Sequence, residues 1–468
     1  MLPEMSLAEN TKTQTDLSDL AQLITQFHVP GAAIAVWQNG ECFEAAAGVV
    51  NLNTQVPTTS DTLFQIGSIT KLYTTTLILQ LVDEGLLDLD EPIRTYLPDF
   101  AIADADVAKR VTLRHLLSHT SGIDGDYFKD AGRGEDRIEK FVALLHEVPS
   151  IHPLGHMFAY CNVGFVIAGR IIETVTGLTW DKAMRTRIAK PISTPAFSTL
   201  PEQAMRFRTA IGHLGNPLKG LTVSPIAFLA QSNGPAGSMP MASAADLIPF
   251  ARALMGDGTA PNGHRLLSQA SASLFQTPQV TCPEGGPMDA IGVGAFLWNW
   301  CGASDGTYDV FGHDGSTIGQ AAFLRIHPAS GTIVALLTNG GDGKGLSHTL
   351  MTRVFSEAAG VAPSSAPQTV TADNEDLTAY TGTYVRSSET AVVRAEAGQL
   401  FCSVRPAGDY GIIGSPPEAV LQKVGPARFV STPTGMSQPI NFNFLEPDAK
   451  GQMSYLYSGA RVLTRSDV

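Results

Sequence analysis

A serine and a lysine stand three residues apart at the head of a long apolar segment. The stretch GSITK leads into LYTTTLILQLVDEGLL, and no other S-x-x-K occurs in the 468 residues. On a helix, residues three apart share one face, so the hydroxyl of Ser68 and the amine of Lys71 can touch. A lysine desolvated by apolar neighbours has a lowered pKa, and its neutral amine can take the proton of a serine. The spacing therefore indicates an activated nucleophile, although a serine N-cap followed by a solvated lysine gives the same pattern.

Two further short patterns carry polar groups that such a nucleophile needs. Tyr160 and Asn162 stand two apart before a helix-like run, where a phenolate can act as a base and an amide can orient a carbonyl. In the sequence GHDGST, His313 precedes Gly315, which lets a substrate backbone approach a strand, and the amide N–H of Ser316 is a candidate oxyanion donor. Taken singly, these patterns also fit a buried aromatic, a helix cap and a glycine-rich turn.

The ordered set of these three motifs resembles the serine β-lactamase and penicillin-binding-protein superfamily, in its class C and esterase-like branch. The resemblance extends over about residues 20 to 358 and includes VTLRHLLSHTSGI and GHDGSTIGQAAFLRIHPASGTIVALLTNGG. It implies an α+β fold of the β-lactamase/transpeptidase type, in which helices flank an antiparallel sheet. It also implies a two-step reaction through an acyl-enzyme, with no cofactor.

Carried over residue by residue, the resemblance makes Ser68 the nucleophile that accepts the acyl group. Lys71 and Tyr160 would share general-base and general-acid work, and which of the two takes the first proton stays open. Asn162 would hold Lys71 or a substrate carbonyl. The backbone amides of Ser68 and Ser316 would form the oxyanion hole.

The third motif departs from the pattern of most β-lactamases and peptidases in the superfamily. They carry Lys-Thr-Gly where this chain has His313-Asp314-Gly315, and Lys-Thr-Gly occurs nowhere in it. An imidazole that is neutral or partly charged near pH 7 thus replaces an ammonium suited to a substrate carboxylate. With His313 and Gly315 at the substrate site, the resemblance favours a small ester or amide, as in carboxylesterases and amidases.

Other activities of the same superfamily stay open. One is a transacylase that passes the acyl group to an amine or alcohol in natural-product metabolism, and another is a D-amino-acid peptidase or β-lactamase. A non-catalytic binding module is disfavoured because every motif residue is present.

Three more patterns are interpreted as structural. Gly302–Gly306 matches the G-x-S-x-G elbow of other hydrolases, but β-prone sequence on both sides predicts a hairpin turn. His213 begins a second H-x-G without a following strand and is interpreted as a loop. His115 and His119 have a spacing that metals use, but no third ligand accompanies them, so no metal site is predicted.

The charged stretch that contains Asp126, Asp130 and DAGRGEDRIEK predicts a solvated loop. The same loop could equally shape the mouth of the site.

Around the motifs, the sequence predicts an antiparallel sheet interrupted by helices. Two β-prone runs flank Asn39-Gly40, which accepts the positive φ angles of a tight hairpin. Ser243 and Asp246 have the spacing of a helix N-cap with an acid in the first turn. From about residue 291, three β-rich runs return, with turns at 302 to 306 and 327 to 331.

These patterns divide the chain into two predicted domains. Residues 1 to 360 form the catalytic domain with a helical insertion at about 75 to 290, and residues 361 to 373 form a Pro- and Ser-containing linker. Residues 374 to 468 form a small all-β domain, which resembles the lipocalin-like barrels appended to some members of the superfamily.

Composition limits the partners. The net charge of −13 argues against nucleic-acid and anionic-membrane partners, which leaves a small-molecule substrate, an acyl acceptor and a homo-oligomer. Five scattered cysteines predict reduced thiols rather than a disulfide framework. No signal-peptide pattern is present at the N-terminus, so a cytoplasmic location is expected.

Overall fold

The computed structural model describes residues 15 to 370, 376 to 407 and 415 to 466. Its catalytic part contains twelve strands. They are β1 (Gly31–Gln38), β2 (Glu41–Gly48), β3 (Phe64–Gln65), β4 (His213–Asn216), β5 (Gly220–Val223), β6 (Met241–Ala242), β7 (Val280–Thr281), β8 (Ala290–Ile291), β9 (Phe296–Trp298), β10 (Val310–Thr317), β11 (Gln320–His327) and β12 (Thr332–Thr338).

Eight of these strands form one sheet in the order β2-β1-β12-β11-β10-β9-β8-β7. Its pairings are antiparallel, and the N-terminal hairpin pairs with the last strand β12, as the sequence predicts. Asn39 and Gly40 both have positive φ, 54° and 88°, as a tight hairpin turn requires. The first and last strands of the catalytic part, β1 and β12, therefore lie side by side in the sheet. The long insertion between β2 and β7 contains most of the helices.

Eleven α-helices are described. They are α1 (Leu20–Gln26), α2 (Thr70–Asp83), α3 (Ala105–Arg110), α4 (Leu113–Leu117), α5 (Arg137–Ala143), α6 (Asn162–Thr176), α7 (Trp180–Met184), α8 (Pro201–Ala204), α9 (Ala244–Met255), α10 (Gln269–Ser273) and α11 (Gly343–Ala359). Short 3₁₀ turns cover Gly67–Ile69, Ile93–Thr95, Leu144–Glu147, Gln231–Ala236 and Leu377–Tyr380, and a π turn covers Arg185–Ala189.

Alternation along the central strands gives the sheet two apolar faces. Ala33 and Ala35 of β1 join the large core that contains α2, α6 and α9. Their neighbours Ala32 and Ile34 point to the other face, where they pack with α1 and α11. Helix α2 is buried over its first twelve residues, which include Lys71 and four threonines. The nucleophile motif is therefore held inside the core.

Local signals are confirmed at several helix ends. Ser243 forms a capping box with Asp246 at the start of α9. Helix α6 ends at Gly177, whose φ of 66° is the left-handed conformation that glycine adopts without strain.

Two local predictions are wrong. The β-rich run after the turn at 302 to 306 is two strands, β10 and β11, joined at Ile318–Gly319, so the region has four strands instead of three. His213 lies in strand β4, which pairs with β5, and not in a loop. Its ring is buried and contacts the carbonyl of Asn339, a role that the sequence does not reveal.

The C-terminal part is a closed barrel of eight antiparallel strands. They are β13 (Gly382–Arg386), β14 (Glu389–Glu396), β15 (Gln399–Pro406), β16 (Ala419–Gly425), β17 (Arg428–Ser431), β18 (Ile440–Pro447), β19 (Met453–Ser458) and β20 (Arg461–Ser466). Its interior is filled by apolar side chains such as Tyr384, Leu400 and Phe444. Helix α11 ends at Ala359 and the barrel begins at Gly382, so the predicted linker lies between them, although residues 371 to 375 are outside the described part.

The barrel shares a buried apolar cluster with the catalytic part. This docking cluster contains Phe158, Phe296 and Trp298 from the catalytic part, and Tyr457 and Val462 from the barrel.

All five cysteines are free thiols. Within the described ranges, no single helix is long and apolar enough to cross a membrane, and only one bent pair, Asn162–Thr176 with Trp180–Ala189, passes that test jointly.

Candidate active site

Ser68 lies in the 3₁₀ turn that leads into α2, and Lys71 follows one turn later. The Nζ atom of Lys71 is 2.9 Å from Oγ of Ser68, 2.7 Å from Oδ1 of Asn162 and 2.6 Å from the carbonyl oxygen of Ala236. Lys71 is fully buried. Burial, followed by the positive charge of Arg461, lowers the pKa of Lys71 well below its usual range, and Asp126 opposes that shift.

The contacts of Lys71 fit a neutral amine. A neutral amine has two hydrogens and one lone pair. The two hydrogens can go to the oxygen atoms of Asn162 and Ala236, which leaves the lone pair for the hydroxyl proton of Ser68. The geometry thus supplies a proton acceptor next to the nucleophile.

Tyr160 lies immediately before α6 and is buried, with its hydroxyl hydrogen-bonded to Ser68. Burial raises the pKa of Tyr160 far above its usual range, while the hydrogen bond with Ser68 and the charge of Arg461 oppose that rise. A tyrosine with a raised pKa keeps its proton near neutral pH. The electrostatics therefore favour Lys71 as the first proton acceptor and Tyr160 as a proton donor, a choice that the sequence leaves open.

Close backbone contact brings β10 against the nucleophile turn. A side-chain carbon added at Gly315 would lie 3.1 Å from the amide nitrogen of Ser68, and one added at Gly67 would lie 2.5 Å from the amide nitrogen of Ser316. Both positions therefore require glycine. The amides of Ser68 and Ser316 are adjacent, as an oxyanion hole demands.

His313 lies on β10 with its ring stacked on Phe296 at a centroid distance of 3.8 Å. Its Nδ1 is 2.5 Å from the carbonyl oxygen of Asp314, so Nδ1–H donates there and Nε2 carries a lone pair. Nε2 is buried and has no hydrogen-bond partner among the described residues. Burial, together with Lys71, lowers the pKa of His313 well below its usual range, so the imidazole is neutral at pH 7.

The prediction that Asp126 lies in a solvated loop is wrong. Asp130 is exposed, but the Asp126 side chain is 1% exposed and contacts three groups. Its Oδ1 accepts a hydrogen bond from Nδ2 of Asn162 at 2.6 Å, and its Oδ2 pairs with Arg386 at 2.7 Å and with Arg461 at 3.1 Å. The arginines hold the pKa of Asp126 below its usual range despite burial, which acts in the opposite direction.

Both arginines belong to the barrel, at the β13–β14 and β19–β20 turns. The carbonyl of Ala460 accepts the backbone N–H of Tyr160 at 2.9 Å, and the guanidinium of Arg461 lies 4.8 Å from the Tyr160 ring centroid. The barrel therefore forms one wall of the site. Neither arginine has a local sequence signal, because each stands in an ordinary strand-turn-strand stretch.

His119 is another site residue that sequence reasoning missed. Its ring stacks on Tyr160 at a centroid distance of 4.3 Å, and its Nδ1 accepts the backbone N–H of Cys161 at 2.9 Å. His115 has a separate role, since its side chain completes a capping box with Thr112 at the start of α4. No group of three or more potential metal ligands occurs in the residues that the structure describes.

Comparisons with known proteins show which family and which proteins the chain is similar to. The family description "Beta-lactamase" matches residues 18–358. Penicillin-binding protein 4 of Amycolatopsis lactamdurans is 42% identical over 373 residues, which cover 78% of this chain and 95% of that protein.

Two solved structures extend the likeness. SurE, crystallised with D-Leu, has a TM-score of 0.72 at 28% identity and covers 95% of this chain and 97% of its own. The D-amino acid amidase from Ochrobactrum anthropi SV3, in complex with D-phenylalanine, has a TM-score of 0.58 at 25% identity and covers 73% of this chain and 99% of its own.

Proposed function

Since this chain belongs to the Beta-lactamase family and is a serine hydrolase of that family, we propose that it acts on an amide or ester of a D-amino acid residue. The reaction passes through an acyl group on Ser68. The observation that carries the acyl-Ser68 chemistry is the placement of Lys71 Nζ, which Asn162 and Ala236 hold 2.9 Å from the Ser68 hydroxyl.

The geometry gives each atom of the first step a place to go. Oγ of Ser68 attacks the substrate carbonyl while its proton moves to Nζ of Lys71, and the amides of Ser68 and Ser316 bind the oxyanion. When the tetrahedral intermediate collapses, the bond to the leaving group breaks, and the proton on Lys71 passes through the Tyr160 hydroxyl to the nitrogen or oxygen of the leaving amine or alcohol. Water then attacks the ester of Ser68 by the same proton path in reverse.

The chemistry of the pocket and the similar structures together favour a D-amino acid amide. Neutral His313 offers a lone pair and no positive charge, which suits an N–H donor better than a carboxylate. The similar amidase is described as a D-amino acid amidase, a similar Streptomyces enzyme as a D-stereospecific amidohydrolase, and SurE was solved with D-Leu. We carry only this stereochemical preference to the present chain.

Transfer of the acyl group to an amine or alcohol is the second candidate. It is supported by the burial of Lys71, Tyr160 and His313, which are 0%, 5% and 0% exposed. Limited water access slows hydrolysis of an acyl-enzyme and favours a bound nucleophile.

The test supplies D- and L-phenylalanine amide, D- and L-leucine amide and their methyl esters, each with and without an added amine. We expect a covalent adduct on Ser68 by intact-protein mass spectrometry, turnover at least about tenfold faster for the D series, and neither in Ser68→Ala. Absence of an adduct, with identical behaviour of Ser68→Ala, would refute the proposal. Equal rates for the two series would refute the D preference, and transfer that exceeds hydrolysis would replace hydrolase by acyltransferase.

A further inference from the structure

A continuous path of polar contacts joins the barrel to the catalytic lysine. Arg461 contacts Oδ2 of Asp126 at 3.1 Å, and Oδ1 of Asp126 accepts from Nδ2 of Asn162 at 2.6 Å. The Oδ1 of the same amide accepts from Nζ of Lys71 at 2.7 Å. The Asn162 amide binds Asp126 through its nitrogen and Lys71 through its oxygen. A shift of the Asp126 carboxylate therefore moves the oxygen that holds Lys71.

The same barrel turn also contacts the tyrosine. Ala460 accepts the backbone N–H of Tyr160 at 2.9 Å, and the Arg461 guanidinium lies over its ring. The turn Gly459–Arg461 thus touches both proton-transfer residues, one directly and one through two side chains. The β13–β14 turn of the barrel contacts the same loop of the catalytic part. Arg386 pairs with Asp126, and the N–H of Ser387 donates to Asp124.

We propose that Arg461 and Asp126 are positioning residues for Lys71 and Tyr160, so that the barrel turn Gly459–Arg461 is part of the catalytic machinery. This inference rests on acyl-enzyme chemistry at Ser68 but does not depend on which substrate is used. It assigns the barrel a role in aligning proton transfer, in addition to covering the cleft.

The charges around the two residues give the proposal a distinctive signature. Burial is the largest cause of the shifted pKa values of Lys71 and Tyr160; beyond it, Arg461 lowers both values and Asp126 raises both. The titratable and charged groups that face the pair from the surrounding elements are Asp126, Arg461, Cys161, His119, His313 and Asp314. Removal of the arginine and removal of the carboxylate should therefore shift the pH dependence in opposite directions.

The experiment measures the rate of Ser68 labelling by a small uncharged fluorophosphonate between pH 5 and 10 in the full chain. A reagent without a carboxylate separates alignment of the lysine from binding of a charged substrate by Arg461. The variants are Arg461→Met, Asp126→Asn and the double variant. The matched control is Arg428→Met, which breaks another ion pair between the barrel and the catalytic part, with Glu284, away from the site.

We expect Arg461→Met to slow labelling at pH 7 by about tenfold or more and to move the acid limb of the rate profile to higher pH. Asp126→Asn should move the limb to lower pH, and the double variant should return it toward that of the native chain. Arg428→Met should label at the native rate.

Three results would overturn the inference. The first is labelling of Arg461→Met at the native rate. The second is slower labelling of Arg461→Met without a shift of the acid limb of the pH profile. The third is an equal loss of labelling rate in Arg428→Met, which would show that Arg461 is only a docking contact. Failure of the native chain to label would instead overturn the acyl-enzyme chemistry on which the inference rests, and the inference with it. Melting temperatures of all variants distinguish slow labelling from loss of the fold.

Discussion

The two walls of the cleft are built by different forces. The catalytic wall, made of Ser68, Lys71 and Asn162, belongs to helices inside the main core and is joined by hydrogen bonds around a buried lysine whose pKa is lowered. The barrel wall, made of Arg386 and Arg461, is joined by ion pairs to a carboxylate.

The difference separates rigidity from adjustment. A buried apolar setting holds Ser68 in place and lowers the pKa of Lys71, because an ammonium without compensation is costly in that environment. Ion pairs at the border of the barrel add alignment and charge without requiring the core to change. The catalytic wall should therefore respond to substitution with loss of chemistry, and the barrel wall with changes in docking and in pH dependence.

Loss of the lysine should give the largest effect. Lys71→Met keeps the shape of the side chain but has no proton acceptor, so turnover should fall by about 10² to 10⁴-fold. Steady-state turnover and the labelling rate of Ser68 test this, and Lys190→Met, at an exposed lysine, is the matched control. Labelling within tenfold of the native rate would show that Tyr160 accepts the first proton.

The docking cluster should respond next, through stability. Tyr457 is fully buried at the barrel face, and its hydroxyl has no hydrogen-bond partner among the residues described. Tyr457→Ala should cost about 3 to 5 kcal/mol in the free energy of unfolding, whereas Tyr457→Phe removes only the unpaired hydroxyl and should leave stability unchanged or raised. Urea titration followed by tryptophan fluorescence measures both, and equal losses in the two variants would contradict apolar docking.

Acid should lower the stability of the fold through the buried histidines His119 and His313. Burial lowers the pKa of His119 and His313 well below 6.5, so the unfolded chain binds protons there that the folded chain does not. Stability is fully present above about pH 6.5 and falls as the pH drops below it, by about 1.4 kcal/mol per pH unit for each histidine. Melting temperature against pH tests this, and His313→Asn should flatten the slope between pH 6.5 and 5. An unchanged slope would contradict a neutral, buried His313.

The smallest change is expected at Cys161. Its Sγ caps α6 by accepting the N–H of Gly164, a role that a serine hydroxyl performs better. Cys161→Ser should alter stability by less than about 1 kcal/mol and leave turnover unchanged, while Cys402→Ser, which places a hydroxyl in the barrel interior, should destabilise. Thermal unfolding compares the two, and a large loss in Cys161→Ser would exclude the capping role.

The same two walls mark how far sequence reasoning reaches. Ser68 and Lys71 interact within one helical turn, and the Asn39-Gly40 hairpin and the Ser243 cap are equally local, so residue type and spacing predict them. The role of Tyr160 is predicted by the resemblance to the superfamily, which the ordered set of three motifs carries. These features need no knowledge of distant contacts.

The barrel wall could not be predicted in this way. Asp126 stands near glycines and charges, which is the composition of a solvated loop, but Arg386 and Arg461, 260 and 335 residues later, pair with it in a buried position. His119 was missed because its neighbour in space is Tyr160 rather than His115. The β10–β11 turn has no distinct local signal, because Gly319 is one of three glycines in the stretch FGHDGSTIGQ.

The contact between Asp126 and Arg461 also sets an order of events during synthesis. A ribosome adds about 5 to 20 residues per second, so the carboxylate is made on the order of tens of seconds before the guanidinium that neutralises it. The Ser68 turn and α2 emerge even earlier, but Lys71 is held by Asn162 and Ala236, so it reaches its position only after those segments are made. In a nascent chain the carboxylate of Asp126 therefore lacks the Arg461 guanidinium until the last strand of the barrel is made, and we expect the site to be complete only when the barrel closes.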